Sequence, residues 1–313
     1  MRAVWLLVGI ALVIAGAGPV WSAEEPEKAV SPYDGKPGAK IGDARVNSVD
    51  GAEMVWVPGG DFLMGSTDEQ VAVEVERYER FEKGKKDAYS FAAGKWVFDS
   101  EKPQRKVYLD GYWIYKYPVT VAQYRKFAQD TNRKMPTAPG WGWNDNHPMV
   151  MINWKDAADY AKWAGVSLPT EAQWEKAARG TDGRRYPWGD AWDSAKCTNS
   201  VENQMSSTQP VVNHPAGASP YGAMDMAGNV WEWCADWFDP DYYKSAPARN
   251  PAGPSAAVEF NVIGMGSAKG ARVLRGGSWY YDYFDYAFRC SYRYFLDPSM
   301  RYYNYGFRCV GTV

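Results

Sequence analysis

The chain has 313 residues, with 35 Lys and Arg against 37 Asp and Glu and a formal net charge of -2. The two signs are mixed and no basic block stands out, which argues against a nucleic-acid partner. Only two histidines occur, His147 and His214, each followed by proline, and this argues against a histidine-built metal centre or a Ser-His-Asp triad.

Met1-Arg2 leads into a mostly apolar run from Ala3 to Gly18, too short for a convincing membrane span. Residues 1–23 read as a signal peptide, with small residues Val20, Ser22 and Ala23 suited to cleavage, and an uncleaved anchor is the alternative. The mature protein is then expected to be exported, whether periplasmic, cell-surface or secreted, with no membrane span after cleavage. Residues 24–50, rich in Pro, Gly, Lys and Asp, read as a flexible linker. One domain is expected over 51–313, and such a length supports a sizeable core.

Met54 to Gly65 carries apolar runs around Pro58-Gly59-Gly60, which predicts a hairpin of two strands. Residues 66–102 are highly charged, with a helical stretch from Glu69 to Lys83, and read as a surface insertion. Strand-like composition resumes over Lys106 to Ile114. Three helices are signalled by their caps: Thr120 with Gln123 opens one through Phe127, Asn153 with Asp156 one ending before Gly165, and Thr170 with Gln173 one ending before Gly180. Short aromatic strands between turns follow. The fold class is α+β, loop-rich with few helices, and its 16 Trp and 22 Tyr fill an irregular core or furnish a binding surface. There is no phosphate loop, G-x-S-x-G elbow, C-x-x-C pair or H-E-x-x-H helix. Four cysteines in an exported chain point to disulfides, in any of three connectivities.

Eight phrases carry a resemblance. They are Gly59-Gly60-Asp61-Phe62-Leu63-Met64-Gly65-Ser66, Pro118-Val119-Thr120, His147-Pro148 with Ile152-Asn153-Trp154, Leu168 to Glu175, Tyr186-Pro187-Trp188-Gly189, Asp225 to Trp233, Arg275-Gly276-Gly277-Ser278-Trp279, and Gly306-Phe307-Arg308. In this order the chain resembles the formylglycine-generating enzyme, or sulfatase-modifying factor, family, whose fold is a variant of the C-type lectin fold. Trp174, Trp188, Trp231 and Trp233 are then expected in the core, and Gly222, Gly228, Gly276 and Gly277 at positive backbone angles.

The resemblance implies a structural calcium ion on Asp225, the Gly228 and Val230 carbonyls and Glu232, hard oxygen donors from one tight loop. Asp225 and Glu232 merely capping turns is the alternative. A second calcium site would use Asn199 and Ser200, but the downstream Asp it needs is not apparent. The family's enzyme binds Cu(I) on two cysteines shortly after the Gly-Gly-Ser phrase, because soft thiolates suit copper. Those positions fall near Tyr281 and Tyr286 here, so no copper is expected and the oxidation should be absent. Cys290 and Cys309 align with structural cysteines of the family whose partners are replaced by Ala161 and Ala178. The resemblance then leaves Cys290 to pair with Cys309 and Cys197 with Cys234, four buried free thiols being the alternative.

Nine of the 22 tyrosines lie between Tyr280 and Tyr305, interleaved with Phe, Asp and Asn. No strand or helix period explains such a run, and its residue set is that of selected paratopes. The tail resembles the variable proteins of diversity-generating retroelements, whose diversity falls in this region, here 279–305. The expected ligand contacts are Trp279, Tyr280, Tyr281, Asp282, Tyr283, Phe284, Asp285, Tyr286, Phe288, Tyr294, Phe295, Tyr302, Tyr303 and Tyr305, facing a protein or other macromolecular ligand. An aromatic core cluster is the bland alternative. On function, the primary reading is a non-catalytic ligand-binding protein. An oxidase of this family with another centre, or a pseudoenzyme binding sulfatase-like chains, stays open beside it.

Overall fold

A computed structural model describes residues 36–82, 96–200, 206–262, 266–280 and 285–313. Helix α1 spans Asp68–Glu82, α2 Val121–Asp130, α3 Trp154–Trp163 and α4 Glu171–Arg179. The last three each open on the reciprocal cap that their sequences signal. In each, the capping side chain accepts the third-residue N–H and that residue's side chain accepts the cap N–H. Helix α2 runs three residues beyond Phe127, where the Thr131 hydroxyl bonds the Phe127 carbonyl.

Twelve strands follow in chain order: β1 Ala44–Val46, β2 Glu53–Val57, β3 Gly60–Met64, β4 Arg105–Leu109, β5 Tyr112–Tyr115, β6 Trp231–Trp237, β7 Glu259–Val262, β8 Gly266–Lys269, β9 Arg272–Arg275, β10 Tyr294–Leu296, β11 Tyr305–Gly306 and β12 Val310–Thr312. One four-stranded sheet has the order β1-β2-β5-β12 and the other β10-β9-β6-β11, while β3-β4 and β7-β8 form two-stranded ribbons. In the first sheet β2 from Met54 onward and the whole of β5 are apolar without a break because both faces are covered. Met54, Trp56, Trp113 and Tyr115 point into one core cluster, and Val55, Val57, Tyr112 and Ile114 into the other. The period-2 pleat thus divides the core in two. In the second sheet β6 is central, antiparallel to β9 and parallel to β11.

Three expectations change. The segment around Pro58-Gly59-Gly60 is not a hairpin, because β2 pairs with β1 and β5 while β3 pairs with β4. The turn moves the chain from one sheet to another. Residues 24–50 are not linker throughout, since Ala44–Val46 adds an edge strand to β2 and the Asn47 side chain is buried against the Tyr115 hydroxyl at 2.7 Å. Nor do the described residues of 66–102 form a surface insertion: Val71, Glu74, Tyr78, Phe98 and Glu101 are all buried.

Candidate functional site

The platform beneath the site is α4. Its sequence buries charge where most helices bury aliphatics, with Glu171, Glu175, Lys176 and Arg179 all 2% exposed or less. Charges so placed must be paired. Arg275 of β9 donates to Glu175 at 2.6 Å and lies 3.3 Å from Glu171, and Arg293 grips Glu171 at 2.8 and 2.9 Å. Arg179 donates to Glu175 at 2.9 Å. Arg275 also holds the carbonyls of Cys290 and Ser291, so this hub sets the path of the chain after residue 289. Asp236 of β6 accepts the Glu171 N–H at 2.8 Å. Burial, with the Glu171 charge beside it, pushes the Asp236 carboxyl up to about 7.

The tail divides into three sets upon this platform. Trp279, Phe288 and Tyr305 are 2%, 1% and 8% exposed and belong to the interior, not to a contact surface. Phe295, half-buried, packs against the same interior 4.6 Å from the Phe238 ring. For Phe288 the reason is local: a Cβ on Gly277, which has positive φ, would meet its ring at 2.8 Å, so the glycine leaves room for that ring to pack inward. Asp285 and Tyr286 are anchors. The first accepts from Arg77 and from the Tyr186 hydroxyl, and the second lies edge-on to Phe98 at 5.3 Å. The half-buried remainder is Tyr280, Tyr294, Tyr302 and Tyr303. Tyr281, Asp282, Tyr283 and Phe284 lie outside the described residues.

Tyr280 and Tyr303 meet edge to face at 4.9 Å over the Trp279 indole, whose Nε1 donates to the Tyr303 carbonyl at 3.2 Å. The loop before His147 adds a wall that the sequence reading missed. Trp141 packs edge-on to Trp279 at 5.2 Å and to Tyr303 at 6.2 Å. Its signal was present in Gly140-Trp141-Gly142, an indole between glycines with Gly142 at φ 79°. Below the rings, the Ser278 hydroxyl accepts from Asn304 at 3.1 Å. Across the sheet Tyr294 covers Trp231 at 5.0 Å. Chemically, this is a surface of rigid rings fixed by their neighbours.

The turn from Asp225 to Asn229 is tight: Asp225, Gly228 and Asn229 all have positive φ. A Cβ on Gly228 would come within 2.3 Å of the Thr198 carbonyl oxygen. Glu232 does not stand open as a ligand, because Arg308 grips both its oxygens at 2.7 Å and the Trp174 indole donates to Oε2 at 2.8 Å. Asp225 differs. Its one hydrogen bond comes from Asn229 at 3.4 Å, and burial pushes it up to about 7 against the pull of Arg308. Two buried carboxylates thus sit beside one guanidinium, a charge imbalance that a cation at Asp225 would relieve. At the second position the Asn199 amide is turned to the Ser194 and Cys197 carbonyls at 2.9 Å, and the Ser200 hydroxyl is buried. Among the described residues no three His, Cys, Asp or Glu side chains converge.

The expected disulfides do not form. Cys234, Cys290 and Cys309 are free buried thiols, and Cys197 is buried with them. Each proposed pair is divided between the two core clusters, Cys197 and Cys309 in one and Cys234 and Cys290 in the other. Burial pushes the Cys290 thiol up to about 12.

Compared with known proteins, residues 40–313 match the sulfatase-modifying factor enzyme 1-like domain. The chain is 43% identical over 183 residues to the formylglycine-generating enzyme of Streptomyces coelicolor, covering 54% of each. It is 32% identical over 287 residues to the serine/threonine-protein kinase pkn1 of Chlamydia caviae, covering 83% of this chain and 38% of the kinase. The chain therefore spans about half the length, or less, of these two curated relatives. Among solved structures it is similar to PvdO from Pseudomonas aeruginosa, with TM-score 0.67 and 23% identity over 88% of this chain and all of that one. It is also similar to Treponema denticola variable protein 1, with TM-score 0.58 and 18% identity over 86% and 98%. These two likenesses are likenesses of fold.

Proposed function

Because the chain belongs to the sulfatase-modifying factor family and has its C-type lectin-like fold, we propose that it is an exported ligand-binding member that performs no thiol-dependent oxidation. The observation that carries this reading is the placement of sulfur. All four cysteines are core residues, and the position near Tyr286 holds a phenol where a thiolate would stand. A protonated, buried thiol is neither a nucleophile nor a soft ligand at neutral pH. The ring surface of Trp141, Tyr280, Tyr302 and Tyr303 supplies contact area at low entropy cost for a macromolecular partner.

Purified protein loaded with Cu(I) and given a cysteine-containing peptide is expected to consume no oxygen above the rate of free copper. Stoichiometric copper retention with turnover of the peptide would establish the second reading, an oxidase, which the 43% identity to the Streptomyces enzyme favours. Diversification of the tail is part of the proposal, supported by the likeness to the Treponema variable protein. It predicts a near-identical DNA repeat differing at adenines beside a reverse transcriptase, and an unvarying tail among isolates would sink it.

Calcium is the ion proposed at Asp225. Millimolar calcium is expected to stabilise the wild type by about 2 to 3 kcal/mol if it exceeds Kd a hundredfold. Asp225→Asn should abolish that gain in a thermal melt, and equal melting of the wild type in calcium and in chelator would remove the ion from the account.

A further inference from the structure

Helix α1 is too polar to hold itself in place. Of its described side chains only Val71, Glu74 and Tyr78 are buried, and most of the rest are charged, so packing and not propensity must fix it. Its contacts are not those of a surface helix. Glu74 lies 2.6 Å from Arg185 and 3.8 Å from Arg289, and Arg289 holds Glu101 through two bonds of 2.8 and 2.6 Å. Arg77, nearly one turn on, sits 2.5 Å from Asp285 and 3.5 Å from Glu74. The Tyr186 hydroxyl donates to the same Asp285 oxygen at 2.7 Å, with Arg185 at 3.8 Å. Three carboxylates therefore face three guanidiniums where α1, the turn before Glu101, the Arg185-Tyr186 loop and the tail converge. Beside them, Tyr286 is wedged among Tyr78, Phe98 and Tyr292 at 5.9, 5.3 and 5.4 Å.

We propose that α1 is a latch on residues 285–292, and that Arg77 is the positioning residue through which it sets the lower border of the aromatic surface. The purpose rests on the ligand-binding reading, since Asp285 and Tyr286 then act as anchors and not as contacts. The physical ground is charge balance. Without Arg77, two guanidiniums face three carboxylates, and Glu74 and Asp285 lose the group that lies between them. Half-buried carboxylates left this way repel, and the segment with the weaker remaining hold gives way. Glu74 keeps Arg185 and Arg289, whereas Asp285 keeps only the Tyr186 hydroxyl and a distant Arg185. The tail should therefore yield.

Hydrogen–deuterium exchange on the full chain tests this. In Arg77→Met, peptides over 285–292 are expected to exchange about tenfold faster or more, with β6 and α4 unchanged. Arg77→Lys keeps the charge and should return exchange to within about threefold of wild type, and Asp285→Asn added to Arg77→Met should recover part of the loss. If Arg77→Met does not fold, Asp285→Asn alone is read, with an expected acceleration of about threefold confined to 285–292. Unchanged protection of 285–292, acceleration confined to 68–82, or failure of lysine to restore it would overturn the latch. No ligand is measured, so a negative result leaves the binding reading standing, and a failed binding reading leaves the latch to be judged on its own.

Discussion

Around α4, Glu171 and Glu175 are each held by two arginines and shut from water, whereas Tyr280, Tyr302 and Tyr303 keep part of each ring in solvent and meet their neighbours at edges. The first region is a fixed network of buried charges, in which each carboxylate has two arginine partners. The second is a set of interchangeable contacts, in which a Tyr could become Phe, Asp or Ser and leave the scaffold standing. A protein that had to vary its surface would need this division, with specificity of fold invested where no ligand reaches.

The comparison breaks most visibly at the hub. Glu171→Gln leaves the buried Arg293 without its carboxylate partner and Arg275 with Glu175 alone, and should cost about 3 to 5 kcal/mol. Urea denaturation measures it, and a loss under about 1 kcal/mol would mean that the pairs are not the scaffold.

Next comes the pH response of Asp236. Burial, reinforced by Glu171, raises its folded pKa to about 7, against about 3.9 in the unfolded chain. Between those values the folded state holds a proton that the unfolded state has lost, so stability falls as pH rises from about 4 to about 7. Asp236→Asn keeps an acceptor for the Glu171 N–H and removes this loss. From pH 5 to pH 8 it should gain on the wild type by about 2 to 3 kcal/mol, and parallel stability curves for the two would contradict the assignment.

The smallest effect belongs to the rings. Tyr303→Ala or Tyr280→Ala should cost about 1 kcal/mol or less, and Trp141→Ala about 1 to 2, because each ring is only half withdrawn from water. A loss of 3 kcal/mol at Tyr303 would turn the aromatic surface into core and dissolve the contrast.

The two regions also differ in how far they could be read from the residues. The three capping boxes are local codes, complete within four residues, and the helices start where they say. The β2-β5 pairing is not local, and Pro58-Gly59-Gly60 announces a turn without telling which sheet the chain turns into. Glu74 and Glu101 look like solvent residues in a charged stretch, because Arg185 and Arg289, the groups that make their burial tolerable, come far later in the chain. In the tail, composition signalled a binding surface, but Trp279 and Phe288 face inward, Phe288 into room that Gly277 leaves, and only the packed backbone reveals that. The cysteines misled for a simpler reason. Exported chains often oxidise theirs, yet here they serve as small apolar groups in two separate cores.

The pairing of β11 with β6 and of β12 with β5 places the closing strand of each large sheet among residues 305–312. A polypeptide emerges from the ribosome beginning at its amino end, so neither sheet can be completed until residues 305–312 have been made. Arg308, which neutralises Glu232, arrives in the same interval. Until then β5 and β6 each keep an open edge, and a chain that stops before residue 305 would lack the last strand of both sheets.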